Sequence, residues 1–206
     1  MPRAYTEQEQ AQIREALLQV GTERFIAHGL GRVTVAELTA AVGIGKGSFY
    51  LFFESKEELF LQAIEHAEVS RNAVFLAALA PIEARGDGRA VVVQFFTLQA
   101  ELLERHPLFR RLLEPGTIQR LTRKLSPDRL AAHRQGDRRW IGETVERWKR
   151  VGLVSSDLDP DMVFGLSAAM LALARERSLI GASFSQTLAL IVRGIAEQLV
   201  FAPSTG

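Results

Sequence analysis

The sequence predicts an all-α protein in which a small N-terminal helical domain precedes a larger helical one. Apolar residues recur at helical spacing along most of the 206 residues, which is the pattern that amphipathic helices produce. Ser, Thr or Asp stands where most of these patterns begin, and glycine or proline stands where most of them end. Two stretches near the C-terminus are apolar on almost every side, which is typical of helices that bury more than one face.

Composition limits the class of protein. Hydrophobic residues make up 47% of the chain and charged residues 24%, which is ordinary for a globular protein. The chain has no cysteine, which excludes disulfides and thiol nucleophiles, and its four histidines lack metal-ligand spacing. We therefore expect no metal and no cofactor. No stretch reaches the roughly 18 apolar residues of a membrane span, and the first ten residues lack a signal-peptide core, so we expect a cytoplasmic protein without a membrane partner.

The first predicted helix covers residues 7–28. Thr6 and Glu9 have the spacing of a capping box, in which each side chain bonds the backbone N–H of the other residue. An apolar stripe that includes Leu17 and Phe25 would pack against the rest of the N-terminal domain. A His-Gly pair is expected to end this helix.

Residues 34–53 are predicted to form two short helices joined by a tight turn. Thr34 is suited to cap the first of them, whose apolar residues repeat at helical spacing. Gly43 lies where the chain must reverse, because glycine enters the left-handed backbone region at little cost. The second helix would start at Gly45 or Lys46, with two aromatic side chains facing back toward the first helix: Phe49 and Phe52.

The outer face of the second helix is small and polar, as in a helix-turn-helix whose second helix enters the major groove of DNA. Gly47 would let the backbone come close to DNA, and Ser48 could donate or accept a hydrogen bond. Lys46 could reach a guanine edge or a phosphate, and Tyr50 a phosphate oxygen. An ordinary helical hairpin in a core is the alternative, which the run of small residues between aromatic ones disfavours.

From Ile13 to Leu59 the chain resembles the DNA-binding domain of the tetracycline-repressor (TetR) family of bacterial transcriptional regulators. The resemblance is carried by Thr34-Val35, Leu38, Gly43-Ile44, Lys46-Gly47-Ser48-Phe49-Tyr50, Phe53 and Ser55-Lys56-Glu57-Glu58-Leu59. It implies that DNA is contacted by Thr34, Lys46, Gly47, Ser48, Tyr50 and Lys56. Gly45 belongs to the same predicted surface, although the family more often has Ser or Thr there and one hydroxyl contact is missing. Thr39 and Val42 also depart from the family pattern.

Net charge disfavours a protein that coats nucleic acid without sequence preference. Residues 1–60 hold six Lys/Arg and eight Asp/Glu, a net charge of −2, whereas such a protein is strongly basic. Binding is therefore expected to depend on a few placed cations and on backbone N–H groups. Residues 105–150 hold thirteen Lys/Arg and five Asp/Glu, a net charge of +8. We interpret these as a solvated helix face, with attraction of DNA or of an anionic ligand as the alternative.

The helix after the predicted helix-turn-helix begins at Lys56, capped by Ser55, and is expected to end near Leu79, before Pro81. At ~24 residues, or about 36 Å, it would link the two domains mechanically. Lys56 would place a cation where the helix dipole disfavours it, and a nearby phosphate would remove that penalty. Further helices are predicted at residues 89–105, 108–113, 127–151, 160–180 and from about 183 to 200.

The larger domain offers candidate residues for a ligand and for a second subunit. Large aromatic side chains at helical spacing could line a pocket for an apolar or aromatic small molecule, although plain core packing is the more common role of such residues. The candidates are Phe95, Phe96, Phe109, Trp140 and Trp148. The two C-terminal apolar helices could bury their second face against another copy of the chain or within one monomer. The candidate dimer contacts are Val163, Leu166, Met170, Leu173, Leu188, Ile191, Ile195 and Leu199.

Together these features predict a DNA-binding domain at residues 1–53 and a ligand-binding and dimerisation domain at residues 54–206. A homodimer would bind a palindromic operator, and a small effector would release it. The resemblance to the TetR family implies repression that is relieved by the ligand. Activation is an open alternative. No arrangement of catalytic side chains is visible, and we predict that the chain is not an enzyme. A helical enzyme or carrier and a scaffold that binds only protein are the alternatives from other classes.

Overall fold

The computed structural model describes residues 5–200, which contain ten α-helices, two short 3-10 helices and no strand. The α-helices, numbered in chain order, are α1 Glu7–Arg32, α2 Val35–Val42, α3 Lys56–Glu83, α4 Gly88–Arg105, α5 Pro107–Leu112, α6 Thr117–Lys124, α7 Pro127–Arg150, α8 Pro160–Arg175, α9 Arg177–Ile180 and α10 Phe184–Val200. A 3-10 helix at Lys46–Leu51, called the Lys46 segment below, follows α2, and a second one at Gly181–Ser183 precedes α10. The predicted all-α class is confirmed.

The chain divides into two compact units, and each unit is made of two separate segments of the chain. The first unit runs to Val69 and also includes His106–Leu130, whereas the second includes Ser70–Arg105 and resumes at Ala131. The helix α3 therefore contributes residues to both units. The predicted boundary after residue 53 separates a DNA-binding part from a ligand-binding and dimerisation part, whereas the two units are defined by compactness alone. That boundary stays a prediction.

The first unit is built around α1. This helix packs against α2 and α5, and the Lys46 segment packs against α2. The capping box of Thr6 and Glu9 is present, with the Thr6 backbone N–H donating to the Glu9 carboxylate at 2.9 Å. Gly29 interrupts the helical backbone inside α1, and its φ of 75° and ψ of 159° suit glycine alone. The core contains apolar side chains from all of these elements, including Leu17, Phe25, Leu38, Phe49, Phe60 and Leu108.

The second unit is organised around α4, which packs against α8 and α10. Its core joins aliphatic side chains of these helices to an aromatic group from α3, α4 and α7. Gly88, at the start of α4, lies against the chain after α7, because a Cβ there would stand 1.8 Å from the carbonyl oxygen of Leu153. No larger residue fits at this close approach of two backbones.

Three helix boundaries differ from the sequence-based expectation. Helix α3 continues through Pro81 to Glu83, because a proline in the last turn removes only one backbone hydrogen bond. Helix α6 was missed, since its eight residues are mostly polar and follow a Pro-Gly turn. Helix α8 ends at Arg175 rather than near Ile180, where α9 and a glycine with a φ of 69° follow.

The stretch Arg177–Val200 is long and apolar enough to cross a membrane by length and composition alone, with a mean hydropathy of 1.5 over its most apolar window. Core helices of soluble proteins satisfy the same criterion. A single stretch of this kind is weak support for a membrane span.

Candidate DNA-contact surface

Helix α2 begins and ends at the capping residues that the sequence predicts, Thr34 and Gly43. The Thr34 hydroxyl accepts from the backbone N–H of Glu37 at 3.2 Å and donates to the Glu37 carboxylate at 2.8 Å. That carboxylate also accepts from the backbone N–H of Thr34 at 2.8 Å, which completes a capping box. These hydrogen bonds from Thr34 lower the pKa of Glu37 below its usual value. At the other end, Gly43 has a φ of 79°, as predicted for the turn.

The Lys46 segment is a 3-10 helix rather than the predicted α-helix. The short length of the segment and its glycine both disfavour a regular α-helix. Phe49 is fully buried, with its ring centroid 5.8 Å from that of Phe53. Phe49 and Phe53 anchor the segment, whereas Phe52, predicted to face back, is only half-buried and its ring centroid lies 6.1 Å from that of Tyr5.

The outer side of the Lys46 segment is exposed and small. Tyr50 is 56% exposed, and Lys46 has no hydrogen-bond or ion-pair partner within residues 5–200. A Cβ added at Gly47 would meet nothing within 4 Å, and one at Gly45 would meet only the Ser48 hydroxyl at 3.8 Å. Internal packing therefore does not require glycine at either position. A close approach by an external molecule would explain both.

Ser48 has an internal neighbour that sequence patterns did not reveal. The hydroxyl of Tyr5 donates to the Ser48 hydroxyl oxygen at 3.4 Å. Ser48 is half-buried, and the remaining capacity of its hydroxyl is available to solvent or to a ligand. Tyr5 precedes α1 and carries no periodic signal, so only the folded chain brings it to this surface.

Lys56 has a structural role in addition to its predicted one. Its ammonium donates to the carbonyl oxygens of Leu30, near the end of α1, at 2.9 Å and of Val33, in the connection from α1 to α2, at 2.6 Å. Burial lowers the pKa of Lys56, with smaller opposing effects from neighbouring charges. The ammonium retains one donor, and a contact between Lys56 and a phosphate stays a prediction.

Ser55 caps the start of α3, but Glu58 does not complete a capping box with it. Ser55 accepts from the backbone N–H of Glu58 at 3.1 Å, as expected of a cap. The Glu58 carboxylate instead accepts from Arg129 at 2.9 Å and from Gln62 at 2.8 Å. Arg129 also donates to both carboxylate oxygens of Glu65 at 2.8 and 2.7 Å, so that α7 begins against α3.

An open hollow of about 480 Å³ gathers four of the predicted DNA-contact residues: Thr34, Lys46, Tyr50 and Lys56. Its walls also include Arg120 and Lys124 of α6, which the sequence analysis did not select. The signal for these residues in the sequence is the basic, amphipathic segment of eight residues that forms α6, which lies within the basic region at residues 105–150. The remaining predicted residues, Gly45, Gly47 and Ser48, lie in or next to the Lys46 segment itself.

Comparisons with known proteins identify this arrangement. Residues 17–63 match the model of bacterial regulatory proteins of the tetR family. This part of the chain is therefore similar to the DNA-binding domain of TetR-family regulators. The transcriptional repressor BepR of Brucella suis biovar 1 (strain 1330) is 30% identical over 73 residues, which are 35% of this chain and 35% of BepR. The matches to the curated relatives span 18 to 35% of the length of those proteins.

Two solved structures extend the likeness in fold to most of the chain. RolR in complex with resorcinol superposes with a TM-score of 0.64 at 19% identity and covers 92% of this chain and 90% of its own. A TetR-family regulator from Pectobacterium atrosepticum gives a TM-score of 0.65 at 18% identity and covers 93% of this chain and 94% of its own. At this identity the likeness shows the fold alone: a helix-turn-helix domain followed by a larger helical domain.

The second compact unit holds most of the predicted ligand-contact residues in one aromatic cluster. The Phe95 ring centroid lies 5.4 Å from that of Trp148, 5.9 Å from that of Trp140 and 5.3 Å from that of Phe96. Phe75 joins the cluster and was not predicted. Trp140 is half-buried, whereas the other four side chains are at most 1% exposed.

Phe109 does not belong to this cluster. It lies in α5, in the first compact unit, where its ring is tilted at 40° to that of His106 with the ring centroids 4.5 Å apart. The segment around α5 belongs to the same compact unit as the helix-turn-helix, and a ligand contact of Phe109 stays a prediction. The indole N–H of Trp148 donates to Glu83 at 2.7 Å, so this tryptophan is also held in place within the core.

The predicted dimer contacts divide into two groups. Val163, Met170 and Leu199 are 1 to 6% exposed and face the core of their own unit. They have almost no surface left for a partner, and the prediction is corrected for these three: periodicity alone does not tell which apolar face a helix turns inward. The other five retain accessible surface, and their contact with a second subunit stays a prediction: Leu166, Leu173, Leu188, Ile191 and Ile195.

Proposed function

We propose that this protein is a transcriptional regulator that binds double-stranded DNA through the Lys46 segment. One observation carries this conclusion: the segment is anchored by the fully buried Phe49 yet presents glycines that no internal contact requires. Exposed Lys46 and Tyr50 stand beside those glycines. A short exposed helix with small leading residues can enter the major groove, while its cation and hydroxyl bind phosphate or base edges.

The proposed active form is a homodimer on a palindromic operator. Two copies would hold their Lys46 segments about 34–36 Å apart, the spacing of successive major grooves on one side of DNA. The surface that we propose for the dimer contact combines the accessible side chains Leu166, Leu173, Leu188, Ile191 and Ile195 with Leu190, which is 73% exposed. Helices α8 and α10 both pack against α4, and exposed apolar side chains such as theirs are typical of an obligate interface.

We further propose that a small apolar or aromatic molecule binds the larger domain and releases the dimer from DNA, so that the protein is a repressor. The aromatic cluster around Phe95 and Trp140 supports this chemistry, since aromatic side chains dominate pockets for such ligands. RolR, whose fold is similar, was solved with resorcinol bound. The ligand would favour a conformation in which the spacing of the two Lys46 segments no longer fits DNA. Such a regulator would act in the cytoplasm and would not be an enzyme.

The DNA function can be tested by fluorescence anisotropy with duplexes selected from a random pool by the full-length protein. Replacing Lys46 or Tyr50 with Ala should weaken binding at least ~10-fold, because each contact is lost twice in a dimer and a good contact is worth roughly 1–3 kcal/mol. Arg85→Ala is the matched control, since Arg85 is exposed in the turn after α3, in the second unit. Normal binding by both Lys46→Ala and Tyr50→Ala would refute the assignment.

The effector can be sought through the fluorescence of the two tryptophans, both of which lie in the aromatic cluster. A compound that binds there should change the emission and also release the selected duplex. Replacing Trp140 with Leu should weaken that response more than replacing the fully buried Trp148 with Phe. A compound that releases DNA without touching the tryptophan signal would place the effector site elsewhere.

A further inference from the structure

Helix α6 brings a concentrated positive charge to the DNA-binding unit. Residues 1–69 hold six Lys/Arg and ten Asp/Glu, a net charge of −4, whereas residues 106–130 hold six and two, a net charge of +4. These two segments form one compact unit. The N-terminal part of the unit would repel a polyanion, and the second segment cancels that charge.

The cations of α6 point away from its buried face. Thr117 and Leu121 are buried and fix the helix to the unit. Arg123 and Lys124 are exposed, and neither has a hydrogen-bond or ion-pair partner in the part of the chain that the structure describes. The Arg120 guanidinium lies 3.9 Å from the Glu57 carboxylate, a loose pair that leaves most of its donors unused.

Arg120 and Lys124 line the same hollow as Lys46, Tyr50 and Thr34. The lining includes four cationic side chains and two carboxylates, Glu54 and Glu57, so its net charge is +2. The Lys56 ammonium is already bound to two carbonyl oxygens. Lys46 and Lys124 are the two cations of this lining that have no hydrogen-bond or ion-pair partner within residues 5–200.

On the basis of the DNA-binding function proposed above, we propose that α6 is part of the DNA-contact surface, with Lys124 and Arg120 binding the phosphodiester backbone beside the groove that the Lys46 segment enters. A backbone phosphate fits better than a small-molecule ligand, because the hollow is open and four cationic side chains line it, whereas small-molecule sites are mostly enclosed and apolar. Phosphate contacts of this kind position a protein on DNA and add affinity without sequence preference.

The salt dependence of DNA binding tests this role directly. The full-length wild type and its Lys124→Gln variant are titrated with a selected duplex and with an unrelated duplex between 50 and 200 mM salt. Each lost phosphate contact reduces the magnitude of the negative slope of log K against log salt by about 0.9, so one contact per protomer reduces it by about 1.8 per dimer. The ratio of the wild-type association constant to that of Lys124→Gln should therefore fall about 12-fold between the lowest and the highest salt concentration, on both duplexes.

Two further variants keep the test specific. Arg110→Gln removes one exposed charge from the same unit but not from the hollow, and it should leave the slope unchanged. Lys124→Arg keeps the charge and should retain the wild-type slope. A double variant with Arg120→Gln should lower the slope further. Circular dichroism should show the same melting temperature for Lys124→Gln and the wild type.

The outcomes separate this proposal from the proposed function. If the wild type binds a selected duplex and Lys124→Gln keeps its slope, α6 makes no phosphate contact while the DNA-binding function stands. Equal losses in Lys124→Gln and Arg110→Gln would indicate a general charge effect and would also overturn the role of α6. If the wild type selects no duplex at all, the DNA-binding function fails and the role of α6 fails with it.

Discussion

Replacing Lys56 with Met should destabilise the DNA-binding unit through the connection between α1 and α2. The ammonium of Lys56 donates to the carbonyl oxygens of Leu30 and Val33, residues that are 1% and 2% exposed. Hydrogen bonds to a charged group contribute about 1.5–3 kcal/mol each. Part of this is offset, because the variant also removes the cost of burying the ammonium, which lowers the pKa of Lys56. We expect a net loss of about 2 kcal/mol, since water can partly replace the lysine.

Thermal unfolding followed by circular dichroism measures this loss. For a chain of this length, about 2 kcal/mol corresponds to a fall of about 4–8 °C in Tm. Lys46→Met is the matched control, because Lys46 is exposed and has no hydrogen-bond or ion-pair partner within the described residues. Its Tm should change by less than about 2 °C, since surface substitutions away from such features usually cost under about 0.5 kcal/mol.

The same pair of variants separates positioning from contact. Lys46→Met should lose DNA affinity at unchanged Tm, whereas Lys56→Met should lose both, because Val33 directly precedes the N-cap Thr34 of α2. Equal Tm values for the two variants would refute the structural role of Lys56. An unchanged DNA affinity in Lys56→Met would refute its predicted phosphate contact.

Three further outcomes are expected. In a urea titration, Gly29→Ala should lower the free energy of unfolding by about 1–3 kcal/mol, because the φ of 75° disfavours any L side chain and the new Cβ would stand 2.7 Å from a Glu114 carboxylate oxygen. Gly31→Ala is the control: its new Cβ meets nothing within 4 Å, so the variant should be neutral or stabilising. Glu37→Gln should flatten the dependence of Tm on pH in acid. The folded pKa of Glu37 is lowered by Thr34, so the carboxylate stabilises α2 above its unfolded pKa of about 4.5 and loses that contribution as the pH falls through the folded pKa. A fall in Tm below pH 4.5 that is as steep as in the wild type would contradict this. Arg129→Leu should lower the free energy of unfolding by about 3 kcal/mol, because Glu58, which is 8% exposed, loses its cation. Calorimetry should show a lower Tm for this variant and little change in Tm for Arg134→Leu, which replaces an exposed arginine on the same helix.

The sequence by itself determined the helical class, most of the helix starts and the location of the helix-turn-helix. These features depend on local chemistry. Thr34 caps α2 through its own turn, and Gly43 reverses the chain through its own φ. The small exposed positions at Gly45 and Gly47 are likewise visible without any knowledge of packing.

Only the tertiary structure decided which distant segments meet. Phe109 lies with the DNA-binding helices rather than with Phe95, and α6 reaches the hollow beside Lys46, because the chain returns to the first unit between two segments of the second. Hydrophobic periodicity reports that a helix has an apolar face but not which neighbour covers it. The burial of Val163 and Met170 within their own unit, and the two carbonyl bonds of Lys56, depend on contacts between residues far apart in sequence.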